Sequence, residues 1–377
     1  MLDKFEALKR SAEEPKLCLA FFQEKNYSSI DSERPEEVTS ILEAHVLQFL
    51  KQEFGGIDHC FEMVKTDLDN MCEAAGEIKI GKRRKKRCIN NKSIKTYQHT
   101  WLLMSKMHSL VSNRQHVTQR EMFYGLLDHF EDQAQVNKII QEVVSITMCP
   151  RESLGIFASS RGWVAGSLHW NDGSGWIDCS AGTGFSLPIP GIIPKDLKLQ
   201  SNARYILIVE KDGVFRRIVE DRLFKCIPSI IITACGFPDH STRKLVHILH
   251  NLLNIPILCL IDYNPFGLNI LMTYKLGAFS ALESQRYNVP SIKWLGLHSS
   301  DIEALNLKGI PYTDADVTTL KRLSEYSFVK DNSEYAKEVQ FMNKTRIKIE
   351  IQALNNISYD YMVNKYIRPK IIKHQYF

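Results

Sequence analysis

Ile255-Pro256-Ile257-Leu258-Cys259-Leu260-Ile261-Asp262-Tyr263-Asn264-Pro265-Phe266-Gly267 begins as an apolar run and ends in an acidic turn broken by proline and glycine. A short continuous apolar run of this kind reads as a strand buried on both faces, the habit of parallel sheets. A carboxylate placed directly after such a strand stands at the carboxyl edge, where open α/β sheets present ligands. The turn therefore reads as a metal site aimed at phosphate.

Working outward, apolar runs at 205–209, 230–233 and 292–297 repeat the pattern. Between the second of these and the quoted stretch lie Leu245, Val246, Ile248, Leu249, Leu252 and Leu253 at helical spacing. Strands alternating with amphipathic helices imply a parallel sheet with right-handed crossovers. Glu210 ends the 205–209 run as Asp262 ends its own, so both carboxylates are expected on one sheet edge. With the Asn264 amide oxygen they form a hard oxygen set suited to Mg²⁺, which keeps waters and completes its shell with substrate phosphate. The competing reading makes these acids mere caps of turns after strands.

Upstream, Val38, Ile41, Leu42, Val46, Phe49 and Leu50 follow Arg34-Pro35 at helical spacing, with Glu36 and Glu37 in the first turn and Gly55-Gly56 at the close. Residues 79–87 carry seven basic side chains (Lys79, Lys82, Arg83, Arg84, Lys85, Lys86 and Arg87) and no apolar face. Such a run should be exposed, as a nuclear-import signal, an arm for DNA phosphates, or both. Trp101, Leu102, Leu103, Met107, Leu110 and Val111 form the next helix, followed by a turn at Ser112-Asn113. Thr118 and Glu121 then give the capping-box spacing of a new helix start. Helix, turn, helix beside basic residues is an arrangement used on DNA.

Arg120 and Tyr124 stand four apart and share a face of that second helix. Tyrosine attack on a phosphate is helped by a guanidinium that favours phenolate and binds the phosphate. Spacing alone favours a buried tyrosine beside a surface arginine. Further on, 167–179 reads as a hairpin about Asn171-Asp172-Gly173, and 182–194 is rich in glycine and proline. A domain junction is expected within 150–200.

The chain has 377 residues, 44% of them hydrophobic, enough for two cored domains. Its nine cysteines include no Cys-x-x-Cys pair, and the first ten residues carry Asp3 and Glu6. These features suggest a reduced intracellular protein without a signal peptide or zinc knuckle. No apolar run is long enough to span a membrane. Residues 1–78 hold 17 acidic and 8 basic side chains, so with a net charge of +5 overall the rest carries fourteen surplus positive charges. That basic body favours a polyanionic partner, nucleic acid ahead of a membrane surface.

Ile231 to Asp239 with Thr242-Arg243, Leu260 to Gly267, and Tyr274-Lys275-Leu276-Gly277 together resemble the Toprim domain of the topoisomerase VI A-type chain. The resemblance is closest to that chain's eukaryotic relatives, the meiotic double-strand-break transesterases. Leu207-Ile208-Val209-Glu210-Lys211-Asp212 matches the first Toprim motif, and 118–124 resembles the motif around the family's catalytic tyrosine, the second of two adjacent aromatics. Trp294-Leu295-Gly296-Leu297 and Glu350-Ile351-Gln352-Ala353-Leu354 agree as well. In two places the chain departs from the pattern. Asp-x-Asp appears as Asp262-Tyr263-Asn264, and Gly-Lys-Gly as Ala234-Cys235-Gly236, whose lone Cys235 reads as a small packed residue.

Charge and spacing give an acidic helical segment over 1–95 carrying the basic run, and the resemblance, which covers roughly residues 100 to 360, implies a CAP-like winged-helix domain over 96–170. A linker at 171–200 and a Rossmann-like Toprim domain with a C-terminal extension over 201–377 would follow. It implies Tyr124 as the nucleophile, Arg120 as its electrostatic support, and Glu210, Asp262 and Asn264 as Mg²⁺ ligands. The basic charge of Lys82, Arg83, Arg84, Lys85, Lys86 and Arg87, together with Arg243, is expected to contact DNA. The implied protein is a nuclear homodimer on double-stranded DNA that works with a topoisomerase VI B-like partner and other meiotic break-formation factors. It makes double-strand breaks through a 5′-phosphotyrosyl intermediate and so initiates homologous recombination. The alternative is a non-cleaving DNA-binding or assembly paralogue with a weakened metal site. A general Mg²⁺ nuclease on the Toprim fold ranks last, since it has no need of an Arg-x-x-x-Tyr helix.

Overall fold

The computed structural model describes residues 34–65, 71–74, 77–81, 83–90, 92–157, 160–171, 173–180, 186–190, 193, 197–277, 286–358 and 360–377. Lys82, Asp3 and Glu6 lie outside the described residues, as does part of the 182–194 stretch, and no side chain is described for Lys79. The described chain divides into two compact units, one within 34–72 and 80–158, the other mainly within 160–277 and 287–377.

In the first unit the helix Pro35–Phe54 starts on a proline with Glu36 and Glu37 in its first turn, and it buries Val38, Ile41 and Leu42. Proline lacks an N–H that would be orphaned there anyway, and the two acids suit the positive end of the helix dipole. Its apolar stripe packs on the helix Ile94–Ser112, which in turn packs on Gln133–Thr147. Leu103, Met107, Ile140 and Val143 at the centre of this stack are fully buried. The segment delimited over 1–95 thus shares one core with the residues that follow it, through the apolar stripe of Pro35–Phe54.

The basic run is a strand rather than a free arm. Arg84–Cys88 pairs antiparallel with Cys60–Val64, and Cys60 faces Cys88 directly. Those two cysteines, expected to be free thiols, are joined as a disulfide with Cα atoms 4.1 Å apart. The register brings them together, which spacing in the sequence does not reveal.

The second unit is built on a six-stranded sheet in the order Leu187–Pro188, Trp163–Gly166, Ser229–Thr233, Tyr205–Val209, Ile257–Leu260, Lys293–Gly296. The last four strands are mutually parallel, and Trp163–Gly166 joins them antiparallel through Ser229–Thr233. Ser229–Thr233 and Ile257–Leu260 are buried along their whole lengths, as strands covered on both faces must be. The Trp163–Gly166 strand and the hairpin of His169–Asn171 with Trp176–Asp178 belong to this unit, so the boundary expected at 170 moves upstream to about 158. Residues 171–200 likewise contribute strands instead of a bare linker, with Lys198–Gln200 pairing against His169–Asn171. The reason is local, since Gly166, Gly173 and Gly175 allow tight reversals at positive φ and the apolar Val164 and Ala165 need cover.

Tyr205–Val209 lies between the strand that follows it in sequence and the next one, so the order of strands reverses at its edge. Such a reversal opens a crevice beyond the carboxyl ends, because the two connections leave in opposite directions. Glu210 and Asp262 stand at that point.

Candidate active site

The helix Gln119–Tyr124 is positioned by its start. Thr118 Oγ1 accepts the Glu121 N–H at 3.1 Å, and the Glu121 carboxylate accepts the Thr118 N–H at 2.6 Å, so two otherwise orphaned donors are satisfied reciprocally. Met122 is the residue this short helix buries. Tyr124, which spacing alone would bury, is 54% exposed at the helix end. The Arg120 Nε and NH2 groups lie 3.4 and 3.3 Å from the Tyr124 hydroxyl oxygen, with the guanidinium 5.7 Å from the ring centroid. An open tyrosine oxygen with a permanent cation beside it can meet an anionic phosphate.

The second set belongs to the other unit. Glu210 follows Tyr205–Val209 and Asp262 follows the adjacent Ile257–Leu260, with Glu210 8% and Asp262 2% exposed. Glu210 Oε2 accepts the Asp262 N–H at 2.8 Å, which binds the two strand ends together. Gly267 is required here, since a β-carbon would press on the Asp262 carbonyl and come within 3.1 Å of Glu210 Oε2. Burial, then the neighbouring Asp262 charge, pushes the Glu210 carboxyl up to about 7. Burial also raises Asp262, against the opposing pull of Lys211 and of the Ile351 N–H. The pair is thus electrostatically strained, a state that a cation relieves.

A cation is already present in the chain. Lys211 Nζ lies 2.8 Å from Asp262 Oδ2 and 3.2 Å from Glu350 Oε1, and it donates to Gln352 Oε1 at 3.3 Å. Burial lowers the Lys211 pKa, but its bonds and charge pairing with Asp262 and Glu350 outweigh this and leave it raised. Ile351 N–H donates to Asp262 Oδ1 at 2.9 Å, and the Tyr263–Ile349 bridge holds this late segment beside the acidic turn. Among the described residues no three His, Cys, Asp or Glu side chains are gathered as a metal cluster. Two buried oxygen-donor acids around an ammonium nevertheless match the donor chemistry of a hard divalent cation.

Asn264, the third expected ligand, has a partner close by in the chain. Its Oδ1 accepts the Gly267 N–H at 2.7 Å, making it the N-cap of Pro265–Leu276. A helix end leaves donors unpaired, and asparagine one residue before proline is well placed to take one. Cys235, expected to be packed, is exposed, with φ of 56° in the turn before Gly236.

The basic residues divide. Arg83, Arg84 and Lys85 are exposed, and Lys86, also exposed, pairs with Glu62 at 2.9 Å. Arg87 is drawn inward. Its NH2 donates to Glu142 Oε1 at 2.7 Å and its NH1 pairs with Glu142 Oε2, so it holds a buried carboxylate and offers DNA little. Arg243 is 3% exposed and donates to Asn288 at 3.2 Å, an internal position that removes it from a DNA-facing surface. Lys211, Glu350 and Ile351 escape a reading of the sequence for site residues, and the Ile351 contact to Asp262 crosses 89 residues of chain, beyond any local pattern.

Residues 95–156 match the family model described as Type IIB DNA topoisomerase, and residues 205–371 match the one described as the Toprim domain of Spo11 and of the topoisomerase 6 A-type chain. The chain is 34% identical over 378 residues to the Arabidopsis thaliana "Meiotic recombination protein SPO11-2", covering 95% of this chain and 97% of that protein. It is 32% identical over 294 residues to the Mus musculus "Meiotic recombination protein SPO11", covering 76% and 74%. With the A-type chain of DNA topoisomerase 6 from Arabidopsis thaliana it shares 35% identity over 283 residues, 74% of this chain and 66% of that one.

Proposed function

Since the chain belongs to the family of Spo11 meiotic recombination proteins and topoisomerase VI A-type chains, we propose that it is a topoisomerase-like DNA transesterase that makes meiotic double-strand breaks. The observation that carries this reading is the exposed Tyr124 with Arg120 at its hydroxyl, on a helix fixed by its own capping box. The Tyr124 oxygen attacks a backbone phosphorus, a P–O(Tyr) bond forms and the P–O3′ bond breaks. The tyrosine proton passes to the departing 3′-oxygen, leaving a 5′-phosphotyrosyl link and a free 3′-hydroxyl. Arg120 offers N–H donors to the charge that gathers on the phosphoryl oxygens.

The first unit acts as a winged-helix DNA-binding domain, with Arg83, Arg84 and Lys85 as phosphate contacts that position without reading bases. Glu210 and Asp262 hold a divalent cation, Mg²⁺, which when bound supplies charge neutralisation and orientation at the DNA phosphates. Two copies of the chain act on opposite strands, the tyrosine of each serving with the acids of the other. The work is done on chromosomes in the nucleus with a topoisomerase VI B-like partner and further break-formation factors.

The test is immunoprecipitation from meiotic cells followed by detection of short oligonucleotides bound to the protein. Tyr124→Phe abolishes them on this reading, and adducts at undiminished yield in that variant would refute it. The absence of a third carboxylate at Asn264, which leaves two acids for the cation, favours the second reading, a non-cleaving paralogue with a weakened metal site, which instead predicts full biological function in Tyr124→Phe.

A further inference from the structure

Lys211 sits between two carboxylates of unlike surroundings. Asp262 is 3% exposed in its side chain and Glu350 58%, with the lysine at 29% between them. On the Asp262 side the ammonium faces a buried acid that already accepts the Ile351 N–H and has Glu210 against its backbone. On the other side it touches Glu350 and Gln352, both at the rim. A buried carboxylate deprived of its partner is costly, whereas an exposed ion pair contributes little either way. The ammonium is therefore held mainly by Asp262, and only another cation can take its place there without leaving that acid unpaired.

Resting on the assignment of Glu210 and Asp262 as the divalent-cation site, we propose that Lys211 is a built-in counterion occupying the cation's place, and that Glu350 receives its ammonium when a divalent ion enters. Lys211 is a positioning residue in this scheme, since it acts on the metal through Asp262. Glu350 acts through Lys211 and is not itself a ligand. The arrangement keeps the acidic crevice neutralised while empty. It also sets a threshold, because the entering ion must outcompete a tethered charge.

The test uses the full chain without DNA, titrated with Mn²⁺ and read by the electron paramagnetic resonance signal of the free ion. Removing the competitor in Lys211→Met tightens Mn²⁺ binding about tenfold, the equivalent of roughly 1.4 kcal/mol. Lys211→Arg keeps the charge with a fork that fits carboxylates better, and so binds Mn²⁺ more weakly than the native chain. It serves equally well should the methionine variant fail to fold. Glu350→Gln alone weakens binding, while Lys211→Met/Glu350→Gln matches Lys211→Met. Asp262→Asn loses the site. If Asp262→Asn titrates like the native chain, the metal assignment fails and the inference falls with it. If Asp262→Asn loses binding but Lys211→Met is no tighter and Lys211→Arg no weaker, the site stands and the counterion role is overturned. A double variant weaker than Lys211→Met makes Glu350 a ligand and overturns its role as acceptor.

Discussion

Glu210→Gln should make the protein more stable, and only above a defined pH. The Glu210 carboxyl is raised from its ordinary 4.5 to about 7, first by burial and then by Asp262. Between those values the folded chain binds more protons than the unfolded one, so stability falls as pH rises through the window. The penalty is absent below about 4.5 and complete above about 7. At 1.36 kcal/mol per pH unit a shift of this size is worth about 3 kcal/mol, as an upper figure. Glutamine removes the charge but keeps an oxygen able to accept the Asp262 N–H that Glu210 Oε2 now accepts at 2.8 Å. Urea unfolding followed by circular dichroism, in chelator and without DNA, should therefore show the variant and the native chain converging near pH 4.5. They should separate progressively up to about pH 7 and stay apart by a constant amount to pH 8, with the variant the more stable. Parallel curves from pH 4.5 to pH 8 would refute the claim that this carboxylate is held at electrostatic cost.

Three further outcomes follow from single contacts. Thr118→Ala removes the acceptor of the Glu121 N–H and should cost about 1 kcal/mol, read as a lowered Tm, together with a loss of phosphotyrosyl adducts because Tyr124 rides on the same helix. Asn264→Ala should cost a similar amount, about 1 kcal/mol, whereas Asn264→Asp, which keeps the cap but adds a carboxylate beside Glu210 and Asp262, should lower Tm at neutral pH and regain the native value as that carboxyl is protonated at low pH; an Asn264→Ala chain as stable as the native one would show that the Gly267 contact is not what matters. Arg87→Met should destabilise by about 3 kcal/mol in chemical denaturation by leaving Glu142 buried without its partner, and adding Glu142→Gln should recover most of that loss.

What the sequence discloses here is what repeats locally. The strands at 205–209, 230–233, 255–261 and 292–297 are readable because doubly covered strands must be continuously apolar, and Glu210 and Asp262 are readable because each closes such a run. The Thr118 capping box is likewise a matter of spacing. Solvent exposure is not. Spacing buries Tyr124 only on a helix of ordinary length, and this helix is six residues long with Met122 as its inward residue. Long-range pairing is equally hidden. Nothing near Arg87 announces Glu142, nothing near Cys60 announces Cys88, and the seat of Arg243 beside Asn288 depends on how distant segments pack. The boundary at 170 fails for a related reason, since an antiparallel edge strand such as Trp163–Gly166 is too short to show a period of its own.

The asparagine at position 264 becomes intelligible in this electrostatic setting. Burial first, and then repulsion from the charge of Asp262, already carry the Glu210 carboxyl to about 7. A third carboxylate on the same turn would add to that repulsion, and its charge could not be shared with Lys211, whose partners are Asp262, Glu350 and Gln352. A neutral Asn264 caps the Pro265–Leu276 helix without that burden. The extra negative charge enters from Glu350, at the solvent side, where screening makes it inexpensive. On the proposed cation role of Glu210 and Asp262, a neutral Asn264 leaves the buried pair intact, while the third acid, Glu350, steadies Lys211 from the solvent side.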